Sequence, residues 1–145
     1  MERVLLVTGG SSGIGAAVAK LAAKAHFTVC VCYRSNELQA AELTELLRAD
    51  GAKAIAVKAD VSSEVDVLRL FSEIDNKLGV ITHLVNNAGI IRDKMLVNMK
   101  PENWDLVMKV NLDAAIKLTD AFLEIGMNQN GRIISLSSIS GIAGN

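Results

Sequence analysis

Short apolar runs alternate with longer stretches of helical period along the whole chain. The apolar runs predict strands at 4–8, 28–33, 53–58, 81–86 and 132–137. This alternation is typical of βαβ units built around a parallel sheet. Because the runs are nearly continuous in Val, Ile, Leu and Cys, we expect strands that are covered on both faces.

The stretches between the runs predict the helices. Apolar residues at helical spacing indicate helices over 14–24 and 37–49. Ser63 resembles the first residue of a capping box and opens a third helix, which stops at Gly79. Pro101 suits the first position of a long helix that we extend to Met127. With no linker or repeat, we predict one α/β domain over residues 1–145, a doubly wound parallel sheet.

Composition narrows the classes of partner. Of the 145 residues, 50% are apolar and 21% are charged, and the formal net charge is −1. No stripe of Lys and Arg is present to gather a polyanion, so we expect no nucleic-acid partner. No apolar segment approaches the ~20 residues that cross a bilayer, so we expect no membrane partner and a cytoplasmic location.

Cys30 and Cys32 are the only cysteines, and they lie two positions apart in one predicted strand. Both therefore point to the same face of the sheet, where they cannot easily form a disulfide. A lone C-x-C without nearby His or further Cys leaves a zinc ion short of ligands, so we predict no metal site. We interpret both cysteines as small buried apolar residues.

A glycine-rich turn joins the first strand to the first helix. It begins after Thr8 and comprises Gly9, Gly10, Ser11, Ser12, Gly13, Ile14 and Gly15. A helix N-terminus offers unpaired N–H groups and partial positive charge, and glycine lets a pyrophosphate approach the backbone. We predict that these residues bind a dinucleotide phosphate; the alternative is that the glycines serve only the geometry of the turn.

Arg34 follows the second strand, where an NAD-binding fold carries an Asp or Glu for the adenosine ribose. A guanidinium there pairs instead with the 2′-phosphate of NADP. The chain is therefore predicted to bind NADP. The alternative is a solvated arginine at a strand end, and Ser12 stands where a second basic residue would have strengthened the NADP assignment.

Five motifs in register carry a resemblance to a known family. They are T-G-x-x-x-G-I-G at 8–15, A-D-V at 59–61, N-N-A-G at 86–89, V-N-L at 110–112 and S-L-S-S at 135–138. In order and spacing they resemble the short-chain dehydrogenase/reductases, most of all the 3-oxoacyl-acyl-carrier-protein and acetoacetyl-CoA reductases. The resemblance implies a Rossmann-like doubly wound sheet, truncated here after its fifth strand. It also implies NADP-dependent reduction of a carbonyl substrate, small or carried by an acyl carrier, in fatty acid biosynthesis, by a homo-oligomer in the full-length form.

The resemblance also implies cofactor-binding residues. It places Asp60 and Val61 at the adenine, and Asn87, Ala88 and Gly89 beneath the cofactor ribose. An ordinary turn is the alternative for residues 86–89.

Two further residues are implied to be catalytic. In helical register Asn111 falls within an apolar stripe, where a buried carboxamide must find partners. It is either a satisfied core asparagine that ties helix to loop or, as the resemblance implies, the holder of a water in a proton relay. The resemblance makes Ser138 the catalytic serine, which bonds the substrate carbonyl; a turn former is the alternative.

The family's tyrosine, with a lysine four residues later, is absent. The only tyrosine is Tyr33, at the cofactor end, and Glu37 stands four residues beyond it. We expect a fragment of an NADP-dependent oxidoreductase; the alternatives are a cofactor-binding or regulatory module without chemistry, or one half of a split enzyme. The fifth strand is then expected to be an exposed edge that promotes self-association.

Overall fold

The computed structural model describes residues 2–126 and 130–144. Its strands are β1 (Val4–Thr8), β2 (Thr28–Tyr33), β3 (Ala54–Lys58), β4 (His83–Asn86) and β5 (Arg132–Ser135). Its helices are α1 (Gly13–Lys24), α2 (Glu37–Ala49), α3 (Glu64–Leu78), α4 (Pro101–Met108), α5 (Ala114–Gly126) and α6 (Ser140–Ala143). A 3₁₀ turn (Leu96–Asn98) precedes α4, and a π-helical segment (Lys109–Asp113) joins α4 to α5. The one-turn helix α6 has no counterpart among the predicted elements.

All the strand pairs are parallel, and the sheet order is β3-β2-β1-β4-β5. The predicted doubly wound α/β fold is confirmed. The order reverses between β1 and β4, so the carboxyl ends of these two strands open a crevice of the kind that binds ligands in such sheets.

Three strands are shorter than predicted. β3 begins one residue later than expected, and β4 begins two residues later, at His83. β5 ends at Ser135 rather than at 137. The Leu136 N–H still donates to the Asn86 carbonyl at 3.0 Å, but β4 ends at Asn86, so the chain beyond Leu136 has no strand left to follow.

The sheet divides the core into two layers. Alternate residues of β1 face opposite sides: Leu6 packs in the layer that holds α3 and α5, and Val7 packs in the layer that holds α1 and α2. Cys30 and Cys32 are both buried in the α3 and α5 layer and form no disulfide, as predicted. Each fully buried Leu or Val side chain stabilises the fold by about 1.5–3 kcal/mol relative to exposure.

Helix ends follow their sequence signals. The Ser63 hydroxyl accepts a hydrogen bond from the Asp66 N–H at 3.3 Å, which caps α3 as predicted. Gly79 ends the same helix with a φ of 93°, a conformation that disfavours side chains. Within the described residues, no helix combines the length and apolar character needed to cross a bilayer.

The expectation that every strand is covered on both faces is wrong for β5. Ile134 is 58% exposed and Leu136 is 39% exposed, whereas β1 and β2 are buried along their whole length. Among the strands of residues 2–126 and 130–144, β5 pairs only with β4 and forms an edge of the sheet. The predicted exposed edge is therefore present.

The predicted long helix is one helical run that changes pitch in its middle. It begins at Pro101, as expected, and Met127 lies outside the described residues. Its predicted apolar stripe is buried only in the second half, at Ala114, Leu118 and Phe122. Trp104 and Met108 are exposed, because α4 lies beyond the edge of the core.

Candidate functional site

The glycine turn lies against the end of β4 with no spare room. A Cβ on Gly15 would lie 2.5 Å from the Gly9 carbonyl oxygen and 2.6 Å from Asn87 Nδ2. Gly9 has a φ of +60°, and a Cβ there would lie 3.0 Å from the Ala88 Cα. These positions therefore require glycine both for close packing and, at Gly9, for backbone conformation.

Thr8 and Asn87 hold the turn in place. Asn87 Nδ2 donates to the carbonyls of Thr8 at 2.8 Å and Gly9 at 3.1 Å. The Thr8 hydroxyl accepts from the N–H groups of Asn87 and Ala88, both at 3.1 Å, and donates to the Val85 carbonyl. Because Thr8 is fully buried, this network joins β1 to β4 where the sheet order reverses.

The N-terminus of α1 carries no compensating negative charge. Ser12 occupies the N-cap position without a side-chain cap hydrogen bond, and the first turn contains no acidic residue. The uncapped N–H groups and the helix dipole favour an anion at this end.

A pocket of about 170 Å³, which we call the Arg34 pocket, opens beside the glycine turn. It is lined by Gly9, Cys32, Tyr33, Arg34, Ala59, Asp60, Val61, Ala88, Gly89, Ile90 and Val110. Arg34 is exposed at the end of β2, on the rim of this pocket. Of the residues predicted to bind the cofactor, six line this pocket: Gly9, Arg34, Asp60, Val61, Ala88 and Gly89. Residues 10–15 and Asn87 do not line it, although each predicted motif follows a strand that ends at this edge.

Asp60 is the only acidic residue among those that line the Arg34 pocket. Its carboxylate accepts from the Ser62 hydroxyl at 2.7 Å and from the Ser62 N–H at 2.9 Å. These bonds lower the pKa of Asp60, and the charges of Arg34 and Lys109 lower it further. Asp60 is therefore ionised at neutral pH.

A second opening, the Ser137 cleft, lies between β5 and the long helix and has a volume of about 430 Å³. It is lined by Asn86, Ala88, Asn111, Leu112, Ala115, Ile116, Thr119, Asp120, Ser135, Leu136 and Ser137. Ala88 lines both openings, so the cleft adjoins the Arg34 pocket.

Comparisons with known proteins agree with this geometry. A model of the short chain dehydrogenase family matches residues 3–145. The chain belongs to the short-chain dehydrogenase family. It is 40% identical over 144 residues to the 3-oxoacyl-[acyl-carrier-protein] reductase FabG of Aquifex aeolicus, covering 99% of this chain and 58% of that protein. It is 39% identical over 144 residues to the 3-oxoacyl-[acyl-carrier-protein] reductase of Synechocystis, with the same coverage.

A solved structure shares the fold of this short-chain dehydrogenase chain. A double mutant of a Serratia marcescens short-chain dehydrogenase/reductase superposes with a TM-score of 0.92 at 27% identity. The superposition covers 96% of this chain and 56% of that one. The chain therefore spans a little under three fifths of the length of these relatives.

Within this short-chain dehydrogenase fold, Asn111 lies in the π-helical segment and is exposed, not buried as its place in the apolar stripe predicted. Its Oδ1 accepts from the Ile90 N–H at 2.8 Å, and its Nδ2 donates to the Ile90 carbonyl at 2.9 Å. The side chain thus ties the long helix to the segment after β4. The apolar stripe was a poor guide to burial here, because this turn of the helix adopts π-helical pitch and is exposed.

Ser138 is exposed, and its hydroxyl oxygen accepts from the Ser140 N–H at 3.2 Å. The neighbouring Ser137, rather than Ser138, lines the cleft. Asn111 and Ser138 thus lie at one end of the molecule, near a common cleft, although only Asn111 lines it.

Asn86 is a further polar residue of the cleft to which the sequence analysis gave no role. It is 6% exposed, and its Nδ2 donates to Thr119 Oγ1 and Ser135 Oγ, both at 3.2 Å. Its Oδ1 is the only buried side-chain nitrogen or oxygen in the described residues without a hydrogen-bond partner. Leaving such a group unpaired costs about 1–3 kcal/mol. Asn86 and Thr8 share a signal that could have identified both: each is a polar residue that ends a buried strand.

The two cysteines have no exposed thiol. Burial raises the pKa of Cys32 to about 12 and raises the pKa of Cys30 well above its usual value. Although Cys32 lines the Arg34 pocket, its thiol stays protonated and unreactive at neutral pH.

Proposed function

We propose that this chain is the cofactor-binding portion of an NADP-dependent reductase that converts a 3-oxoacyl thioester to its 3-hydroxyacyl form. The proposal rests chiefly on the glycine turn. Cβ atoms on Gly9, Gly10 and Gly15 would lie 2.5–3.0 Å from other protein atoms, whereas a Cβ on Gly13 would meet nothing within 4 Å. The turn is thus tightly packed on the protein side, and it leads into the N-terminus of α1, which has no side-chain cap. This arrangement fits the pyrophosphate of a dinucleotide, because backbone N–H groups can come close to it where no side chain intervenes.

Arg34 supports the choice of NADP over NAD. It lies on the rim of the Arg34 pocket, which adjoins the glycine turn, and it directly follows β2. A guanidinium there binds a 2′-phosphate through charge-assisted hydrogen bonds. Asp60, Val61 and the turn 87–89 are then the remaining walls of the adenosine site, and Asn87 acts from below by holding the glycine turn.

Polar groups in and beside the Ser137 cleft support carbonyl reduction. When bound, NADPH supplies the hydride for such a reaction. The Ser138 hydroxyl accepts from the Ser140 N–H, so its own proton remains available for the carbonyl oxygen of a substrate. Asn111 fixes the segment after β4 and, in the proposed role, holds a water for proton transfer. The described residues contain no tyrosine beside these groups, since Tyr33 lines the Arg34 pocket.

Calorimetric titration of the folded chain with NADPH and NADH tests the proposal. NADPH should bind more tightly, and Arg34→Ala should reduce that preference about ten- to a hundredfold, since a hydrogen bond to a charged group contributes roughly 1.5–3 kcal/mol. Arg92→Ala is a matched control, because Arg92 is exposed and donates only to the neighbouring Ile91 carbonyl among its described contacts. Equal affinity for the two cofactors would refute NADP specificity, and no binding of either would refute the cofactor role.

A further inference from the structure

One wall of the Arg34 pocket is formed by residues 59–61, which lie between β3 and α3. Two hydrogen bonds join the middle residue of this wall to the start of α3. The Asp60 carbonyl accepts from the Ser63 N–H at 2.9 Å. The Asp60 N–H donates to the side chain of Asp66, at 2.8 Å from its Oδ2. The first turn of α3 therefore holds the residue that supplies the acidic group of the pocket.

Asp66 departs from the usual role of an acidic residue at its position. In a capping box, the side chain of the third helical residue accepts from the N–H of the N-cap residue. Here the N-cap residue is Ser63, and its N–H donates to the Asp60 carbonyl instead. The Asp66 carboxylate reaches three residues further back, to the Asp60 N–H. It thus contacts the pocket wall rather than closing the capping box.

Arg69 adds a second link between α3 and the wall. Its Nη2 donates to the Lys58 carbonyl at 2.6 Å and lies 3.6 Å from Asp66 Oδ1. The ion pair is partly exposed and adds little by itself, so the bonds to the backbone matter more. Asp66 and Arg69 hold neighbouring backbone groups: the N–H of Asp60 and the carbonyl of Lys58. Hydrogen bonds that involve a charged group are stronger than those between neutral groups.

The Asp60 carboxylate is oriented by the same arrangement. Its Oδ1 accepts from the Ser62 N–H at 2.9 Å and from the Ser62 hydroxyl at 2.7 Å. Among the described residues, no hydrogen bond reaches its Oδ2. Because Asp66 fixes the backbone and Ser62 fixes Oδ1, Oδ2 remains an acceptor of defined orientation for a ligand of the pocket.

We propose that Asp66 is a positioning residue for the adenosine half of the cofactor, which it affects through Asp60 by fixing one wall of the Arg34 pocket. Arg69 assists it. The inference rests on the proposed function. A wall that is ordered before binding avoids the entropic cost of ordering it on binding. The loss of Asp66 should therefore weaken binding of the whole cofactor and of its adenosine half by the same factor.

The test is calorimetric titration with NADPH and with adenosine 2′,5′-bisphosphate, which keeps the adenosine and its 2′-phosphate but lacks the nicotinamide. Asp66→Ala should weaken binding of both compounds about two- to tenfold, the usual cost of immobilising one side chain. Asp66→Asn should restore most of the affinity, because the amide oxygen can still accept from the Asp60 N–H.

Glu64→Ala is the matched control. Glu64 is exposed and also places a carboxylate in the first turn of α3, so its removal changes the charge at this helix end equally. Its side chain makes no hydrogen bond or ion pair within the described residues. We expect Glu64→Ala to leave both affinities almost unchanged.

Amide exchange at Asp60, followed by NMR, reports the hydrogen bond itself. It should be slow in the unmodified chain and in Glu64→Ala, and faster in Asp66→Ala. If Asp66→Ala speeds this exchange but binds both compounds as tightly as Glu64→Ala does, the inference is overturned and the proposed function stands. Unchanged exchange in Asp66→Ala, binding by Asp66→Asn as weak as by Asp66→Ala, or weakened binding of NADPH alone would likewise overturn the inference. If the unmodified chain binds neither compound, the proposed function fails together with the inference.

Discussion

Two regions of the molecule differ in how well their polar groups are hydrogen-bonded and their apolar residues are buried. We call β1, β2 and the glycine turn the closed end, and β5 with the Ser137 cleft the open end. Around β1, β2 and the glycine turn, the strands are buried and Thr8 and Asn87 find partners within the chain. Around β5 and the Ser137 cleft, Ile134 is largely exposed and the buried Asn86 Oδ1 has no hydrogen-bond partner among the described residues. The region proposed to bind cofactor is therefore buried and hydrogen-bonded within this chain, whereas the region proposed to bind substrate is exposed to solvent.

The largest expected effect concerns catalysis at the open end. We predict that the purified chain reduces 3-oxoacyl thioesters near the background rate, because Ser138 and Asn111 cannot replace a general acid. Such an acid typically contributes about 10²–10⁴-fold. NADPH consumption followed by absorbance measures this, with an intact family member as the positive control. Turnover at the rate of that control, by material whose mass matches residues 1–145, would show that the open end is a complete site.

A substitution in the glycine turn should greatly weaken NADPH binding. Gly15→Ala places a methyl group 2.5 Å from the Gly9 carbonyl oxygen, so the glycine turn must move away from Asn87. We expect NADPH affinity to fall at least about tenfold and stability to fall by about 1–3 kcal/mol, the usual cost of overpacking. Titration and urea denaturation measure the two effects.

The control for that substitution is Gly141→Ala at the open end, where an added Cβ meets nothing within 4 Å. It should leave both quantities nearly unchanged. If Gly15→Ala behaves like Gly141→Ala, the close packing of the turn does not determine cofactor binding.

A charge on the exposed β5 edge should weaken self-association of the chain. Ile134→Lys places an ammonium on β5, where natural edge strands often carry one to prevent pairing with other chains. We predict that the unmodified chain self-associates and that this change weakens association about tenfold, or about 1.4 kcal/mol. Sedimentation velocity measures the shift.

Ile142→Lys on α6 is the control for the edge, since Ile142 is even more exposed but belongs to no strand. It should have a smaller effect on association. A monomeric unmodified chain would mean that the β5 edge is not adhesive.

The smallest expected effect is a pH dependence of the free energy of unfolding that arises from His83, on the strand between β1 and β5. His83 on β4 pairs with Leu5 of β1 and with Arg132 of β5. Burial, then Arg3 and Arg132, lower the pKa of His83 below its usual value of 6.5. The unfolded chain therefore binds more protons than the folded chain as the pH falls through about 6.5, and the free energy of unfolding decreases there.

His83→Gln should flatten that decrease, and Arg132→Gln should reduce it in part if β5 stays docked. Urea midpoints measured between about pH 8 and pH 5.5 give the slope, across the usual titration range of histidine. An unchanged slope in His83→Gln would assign the pH dependence to other groups.

The sequence predicted the closed end better than the open end for physical reasons. Local signals were sufficient where the chain supplies its own partners: Ser63 caps α3, the apolar runs of β1 and β2 are fully buried, and the glycine turn joins β1 to α1. The predicted catalytic residues Ser138 and Asn111 do lie near one cleft.

Helical periodicity did not predict burial correctly where burial depends on contacts with residues distant in sequence. Asn111 was expected in a buried stripe, but it is exposed, lies in the π-helical segment and bonds the backbone of Ile90. Helical period reports which residues share a face, not whether that face is covered. The role of Thr8 was also missed, because its three hydrogen bonds join residues almost 80 positions apart.

Hydrogen–deuterium exchange with and without NADPH tests the contrast between the two ends most directly. We expect NADPH to slow exchange in the segments 9–16, 33–35, 59–61 and 87–90, which surround the glycine turn and the Arg34 pocket. It predicts fast exchange in 132–138 that the cofactor leaves almost unchanged, because one side of β5 is open. Strong protection of 132–138 without ligand, or no NADPH-dependent protection of the glycine turn, would contradict the account.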